Sequence, residues 1–153
     1  MSDELTADQA ATWLAYRRMH MLLMAGLDRQ LSRDSGMPQG YYAVLAQLAA
    51  QPDRRLLLAD LARRCHFSQS RISHAVARME GLGWLVRESA DTARPSSYAR
   101  LTDVGIQVQA EAAIGHDRAV RNLFFSGLTS TQAQELGVLA TRVGEHVEQQ
   151  STG

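Results

Sequence analysis

The stretch Leu61–Leu82, LARRCHFSQSRISHAVARMEGL, decides how this chain folds. Its second half repeats apolar residues at Ile72, Val76, Met79 and Leu82, a spacing that lines one face of an α-helix. Its first half supplies Leu61, Ala62, Cys65 and Phe67, the apolar side of a shorter helix over Ala59–Cys65 and the turn that follows it. His66-Phe67 makes the turn, and Ser68 stands as N-cap of a helix that the spacing carries to about Leu82. Two short helices joined by a tight turn, each with one apolar face, have helix-turn-helix geometry.

The other face of the second helix carries Gln69, Ser70, Arg71, Ser73, His74 and Arg78, with no acid before Glu80. A solvated helix ordinarily mixes Glu with Arg, because pairs three or four residues apart support it. Hydroxyls, an amide, an imidazole and guanidinium groups can nearly all donate, which suits acceptor-rich base edges and phosphates. Arg71, near the helix N-terminus, is the candidate for a bidentate contact with guanine. Backbone N–H groups at Ser68 and Gln69 can face a phosphate. A merely polar face is the competing reading of the same residues.

Beyond Gly83 the period changes. Trp84–Arg87 is β-prone, Ser89–Ser97 is a polar loop containing Pro95, and Tyr98–Leu101 is a second short strand, so a hairpin follows the helix-turn-helix as a wing. Thr102 caps a helix running to about Phe125. Thr129 and Gln132 make a capping box for the last helix, whose stripe is Leu136, Leu139, Val143 and Val147; Gln149–Gly153 is expected to fray. On the upstream side, Thr6 and Gln9 form another capping box. Leu14, Met21, Met24, Leu27 and Leu31 then mark one long helix, stopped at Asp34-Ser35-Gly36, and its stripe calls for a partner helix. Pro38 opens a helix with Tyr41, Val44, Leu45 and Leu48 on one face; Gln51-Pro52-Asp53 ends it, and Leu56–Leu58 is a short extended run. The fold class is mainly α with a small β-hairpin wing.

The formal net charge is zero, but the charge is segregated. Residues 54–100 hold nine Arg against four acids, whereas both ends are acidic. A basic middle between acidic ends is the footprint of a polyanion binder. All 16 basic residues are Arg. The one cysteine excludes an internal disulfide and a cysteine-rich zinc site. The start, Met1-Ser2-Asp3-Glu4, is unlike a signal peptide and no apolar run could span a bilayer, so a cytoplasmic protein without membrane contact is expected. No nucleophile elbow, P-loop or dinucleotide fingerprint is present, and no carboxylate pair can be placed in one site, so neither catalysis nor a cofactor is expected.

Leu61-Ala62-Arg63-Arg64, Phe67–His74, Val76–Glu80, Gly83–Arg87 and Arg100–Gly105 together resemble the MarR (multiple-antibiotic-resistance regulator) family of transcriptional regulators. The resemblance in layout covers nearly the whole chain. It implies one MarR-like domain over residues 1–153, with a winged-helix DNA-binding lobe at 38–101 and a helical dimerisation region at 1–34 and 102–148. It implies a homodimer, a recognition helix in the major groove of double-stranded DNA and a wing tip in the adjacent minor groove. Arg94 falls at the wing-tip arginine position. Thr92 stands where the family has an acid, Asp91 is displaced by one, and Pro95 replaces a frequent second Arg. His66 replaces a frequent turn glycine, a position where His tolerates left-handed backbone better than most residues.

The resemblance also implies a small ligand held between the helical region and the lobe. Trp13, Tyr16, Arg17 and His20 lie within two turns of the first helix and would suit an aromatic or acidic ligand, although packing explains the aromatics equally well. Cys65 fits a small core residue. As a redox switch, it would need Arg63 and Arg64 to depress its pKa. No histidine forms an i, i+4 pair with another His or Cys, so no metal site is expected. A thiol-switched DNA regulator and a winged-helix module for protein association remain the alternatives.

Overall fold

The computed structural model describes residues 4–90 and 96–151. Helix α1 (Ala7–Ser35) is followed by α2 (Gln39–Ala49), β1 (Arg55–Leu57), α3 (Leu58–Cys65) and α4 (Gln69–Gly81). Strands β2 (Leu85–Ser89) and β3 (Ser97–Leu101) come next, then α5 (Asp103–Leu123), a single 3-10 turn at Phe125–Gly127, and α6 (Ser130–Ser151). The chain divides into two compact units, residues 24–116 and residues 1–23 with 117–153.

Residues 24–116 build a winged-helix lobe around one apolar core. Leu31, Leu45, Leu48, Leu61, Ile72 and Met79 are fully buried. They come from four different helices, so the core ties α1 through α4 together, and each such side chain stabilises the lobe by roughly 1.5–3 kcal/mol. The wing sheet is antiparallel in the order β1-β3-β2. Leu56 opposes Ala99, and Leu85 opposes Leu101. All four are buried, so one sheet face closes the core.

The sheet has a third strand beyond the expected hairpin. Arg54 adopts φ +54° and its N–H donates to the Gln51 carbonyl at 3.1 Å, which turns the chain sharply. The Arg54 carbonyl then accepts from Leu101 N–H at 3.0 Å, and the extended run pairs with β3. Leu82, expected on the buried face of α4, is exposed, and Ala75 takes the buried place. The reason is the stop signal: Gly83 at φ +76° lets Trp84 N–H donate back to the Met79 carbonyl at 2.9 Å, and the chain turns off the helix axis directly after Leu82, which is left at the helix end.

Thr102 and Gly105 explain how α5 begins. The Thr102 hydroxyl donates to the Gly83 carbonyl at 2.6 Å and accepts from Gly105 N–H at 3.0 Å. A Cβ at position 105 would lie 2.0 Å from the Trp84 carbonyl oxygen. Only glycine permits this approach, which seats the first turn of α5 against the end of α4.

In residues 1–23 with 117–153, both capping boxes form. Thr6 N–H donates to Gln9 Oε1 at 2.9 Å and Gln9 N–H to Thr6 Oγ1 at 3.2 Å, with the same pair of bonds between Thr129 and Gln132. The tail does not fray where expected: α6 continues to Ser151, whose hydroxyl donates to the Val147 carbonyl at 2.9 Å. Helix α6 has no buried residue among those described, and Leu139, Val143 and Val147 of its stripe lie exposed, as do Leu14 and Met21 of α1.

Candidate nucleic-acid interface

The helix-turn-helix forms for local reasons. His66 caps α3 in the left-handed region at φ +52°. His66 N–H donates to the Arg63 carbonyl at 3.2 Å and Phe67 N–H to the Ala62 carbonyl at 2.9 Å, the paired bonds of a Schellman stop. Ser68 Oγ accepts from Arg71 N–H at 3.2 Å and starts α4. Ile72, Ala75, Val76 and Met79 are buried. Gln69, Ser70, Arg71, Ser73, His74 and Arg78 are all exposed. The six residues expected to face DNA from this helix therefore share its solvent side.

The described acids of the basic segment, Asp60, Glu80 and Glu88, each pair with an arginine. Glu80 lies 3.6 Å from Arg87 Nε, Asp60 lies 2.9 Å from Arg63, and Glu88 takes Arg100 at 2.6 Å with Arg55 at 3.8 Å. Asp53 accepts from Arg55 Nε at 2.8 Å, and this hydrogen bond holds the Asp53 carboxyl below its usual range. Within residues 54–100, among those described, Arg54, Arg64, Arg71 and Arg78 pair with no carboxylate. Three of these four lie on α3 and α4, so the unpaired positive charge of that segment lies mostly on the helix-turn-helix. Arg71 Cζ sits 3.7 Å from the centre of the Phe67 ring, a close cation–π contact. Arg94 lies outside the described residues.

Cys65 is half-buried beside the core. Burial pushes its thiol pKa up, and the charge of Arg71 only partly opposes this. The nearby charge is thus Arg71 rather than Arg63 or Arg64, and the thiol is held in its less nucleophilic, protonated form. On α1, Trp13, Tyr16 and His20 stack in succession at 5.7 and 6.1 Å between ring centres. These three and Arg17 are exposed, an open ladder on the helix surface. Among the described residues no cluster of three metal-ligating side chains occurs, and no helix is long and apolar enough to cross a membrane.

A sequence model of the MarR family matches residues 35–94. Sco3205, a MarR family transcriptional regulator from Streptomyces coelicolor solved in complex with DNA, is 42% identical, with 95% of this chain and 91% of that one covered and a TM-score of 0.90. The chain belongs to the MarR family of transcriptional regulators. AbsC, another MarR family regulator from Streptomyces coelicolor, is 27% identical with a TM-score of 0.88, covering 96% of this chain and 99% of that one. Bordetella bronchiseptica BpsR, whose DNA binding is regulated by 6-hydroxynicotinic acid, shares the fold at 17% identity and TM-score 0.77, over 88% of this chain and 98% of that one. No curated protein sequence matches it.

In this MarR-family chain, sequence reasoning missed Arg87. Arg87 Nη2 donates to the Ser73 carbonyl at 2.9 Å, and Glu80 Oε1 accepts from Arg87 N–H at 3.1 Å. The wing is thereby fastened to α4, and the single acid in the latter half of α4 is occupied. The available signal was faint: alternation places Arg87 on the same sheet face as buried Leu85, where an arginine needs an acceptor.

Proposed function

We propose that the chain is a sequence-specific double-stranded DNA-binding repressor that acts as a homodimer on a pseudo-palindromic operator. The exposed face of α4, which has no acid before Glu80, carries this reading. It gathers donors where a winged helix presents them to a major groove, and the similar Streptomyces regulator is one solved in complex with DNA. Arg71 contacts guanine; Gln69, Ser70, Ser73 and His74 contact base edges or phosphates; Arg78 and Ser68 contact the backbone; Arg94 enters the minor groove. The protein acts by binding, without catalysis, in the cytoplasm.

The dimer reading rests on the bare stripes of residues 1–23 and 117–153. Apolar faces of this size on α1 and α6 call for a partner surface, and a second copy offers the same stripes under two-fold symmetry. Half-sites about 10 bp apart follow from that symmetry. A small aromatic acid is the ligand class that suits the Trp13–Tyr16–His20 ladder with Arg17. BpsR, whose DNA binding is regulated by 6-hydroxynicotinic acid, shares this fold and is consistent with such control. The ligand releases DNA by favouring a dimer whose two α4 helices have the wrong spacing.

Fluorescence anisotropy of the protein with duplex DNA from upstream of its own gene, beside a scrambled duplex, tests the reading across several salt concentrations. Tighter binding to the upstream duplex that weakens steeply with salt is expected. Absence of binding to either duplex at low salt contradicts it and favours a protein-association module. Arg94→Ala is expected to weaken both duplexes with a shallower salt slope.

A further inference from the structure

We infer that Phe67 and Gly40 form a seat that holds the Arg71 guanidinium in its reading position, so that both residues set DNA affinity without touching DNA. This rests on the reading of Arg71 as a base contact.

Three observations converge on the seat. The Phe67 ring is half-buried against the lobe core, and its backbone is tied to Ala62, so the fold fixes where the ring lies. Arg71, four residues on, lays its guanidinium over the ring face at 3.7 Å. Gly40, in the first turn of α2, leaves room for both: a Cβ there would stand 3.3 Å from Arg71 Nη2 and 3.4 Å from Phe67 Cζ. Glycine is a poor helix former compared with alanine, so a helical glycine at this point has a steric use rather than a conformational one.

The contact spends the face of the guanidinium and leaves its edge. The N–H donors of arginine lie in the plane of the group, so stacking restrains the side chain without consuming the fork that reads guanine. No carboxylate pairs Arg71, and its side chain donates to no described residue. An arginine that only braces the fold looks different here: Arg87 gives a donor to the Ser73 carbonyl and faces Glu80. Arg71 is restrained but unspent, the arrangement expected of a group ordered before its ligand arrives. Phe67 and Gly40 are therefore positioning residues for Arg71.

The test uses a duplex enriched by the wild-type protein from a random-sequence library, with affinity read by anisotropy and folding by thermal denaturation. Gly40→Ala is expected to keep or raise Tm, because alanine favours the helix, while weakening binding about three- to tenfold as the new methyl displaces the guanidinium. Phe67→Leu is expected to weaken binding by a similar factor. In an Arg71→Ala background neither change should weaken binding further, since the group they position is gone. Equal losses in both backgrounds, or full affinity in a folded Gly40→Ala protein, would overturn the seat while leaving Arg71 as a contact. Unchanged affinity in Arg71→Ala alone would instead remove the underlying reading, and the seat with it.

Discussion

Val76 in α4 and Val143 in α6 occupy equivalent places in two amphipathic helices, yet Val76 is wholly buried and Val143 is 62% exposed. In the lobe, five helices and a sheet close on one core, and the stripe of α4 finds partners within the same chain. In α6 the stripe is as regular and finds none. Periodicity marks a face that needs covering; it does not say whether the cover comes from the same chain. That difference divides the molecule into a lobe whose apolar faces are covered within its own chain and a helical part whose apolar stripes lie exposed.

The largest expected contrast comes from adding one methyl group. Gly105→Ala would drive a Cβ into the Trp84 carbonyl and should cost about 3 kcal/mol or more, or abolish folding, in denaturant unfolding. Gly137→Ala on α6 meets nothing within 4 Å and should be harmless to the fold, with at most about 1 kcal/mol gained from helix propensity. Equal effects would break the distinction between the two regions. Removing methyl groups gives the next contrast. Val76→Ala should cost about 1.5–3 kcal/mol at any protein concentration. Val143→Ala should act through a concentration-dependent midpoint, visible as weaker self-association in sedimentation equilibrium.

Smaller effects sharpen the account of the lobe. His66→Gly should stabilise it by about 1 kcal/mol, since glycine enters the left-handed region without strain. Cys65 should react with a disulfide reagent more slowly in the native protein than in the unfolded chain. The gap should narrow as pH rises through the raised thiol pKa, because the thiolate is the attacking species. A native thiol as fast as the unfolded one would reopen the oxidant-switch reading.

Much of the chain was legible because its signals are local. The capping boxes at Thr6 and Thr129, the cap at Ser68 and the turn at His66 each act within a few residues, and the structure forms all of them. What escaped reading depends on distant partners. The run Leu56–Leu58 carries no alternation, and its pairing with Tyr98–Arg100 is long-range, so β1 could not be placed in a sheet. Leu82 fits the helical period but lies just past the last residue of α4, immediately before Gly83 turns the chain. At the candidate site, the shared exposure of the six α4 residues was legible from composition on one face, whereas the bracing by Arg87 and the seat under Arg71 need three-dimensional neighbours.

Selection of duplexes from a random-sequence library by the wild-type protein tests the central claim most directly. The account predicts a two-fold symmetric consensus with half-sites about 10 bp apart, and loss of preference at one position of each half-site in Arg71→Ala, costing roughly 1–3 kcal/mol per lost bidentate contact. No enrichment, or a consensus unaltered by Arg71→Ala, would contradict it.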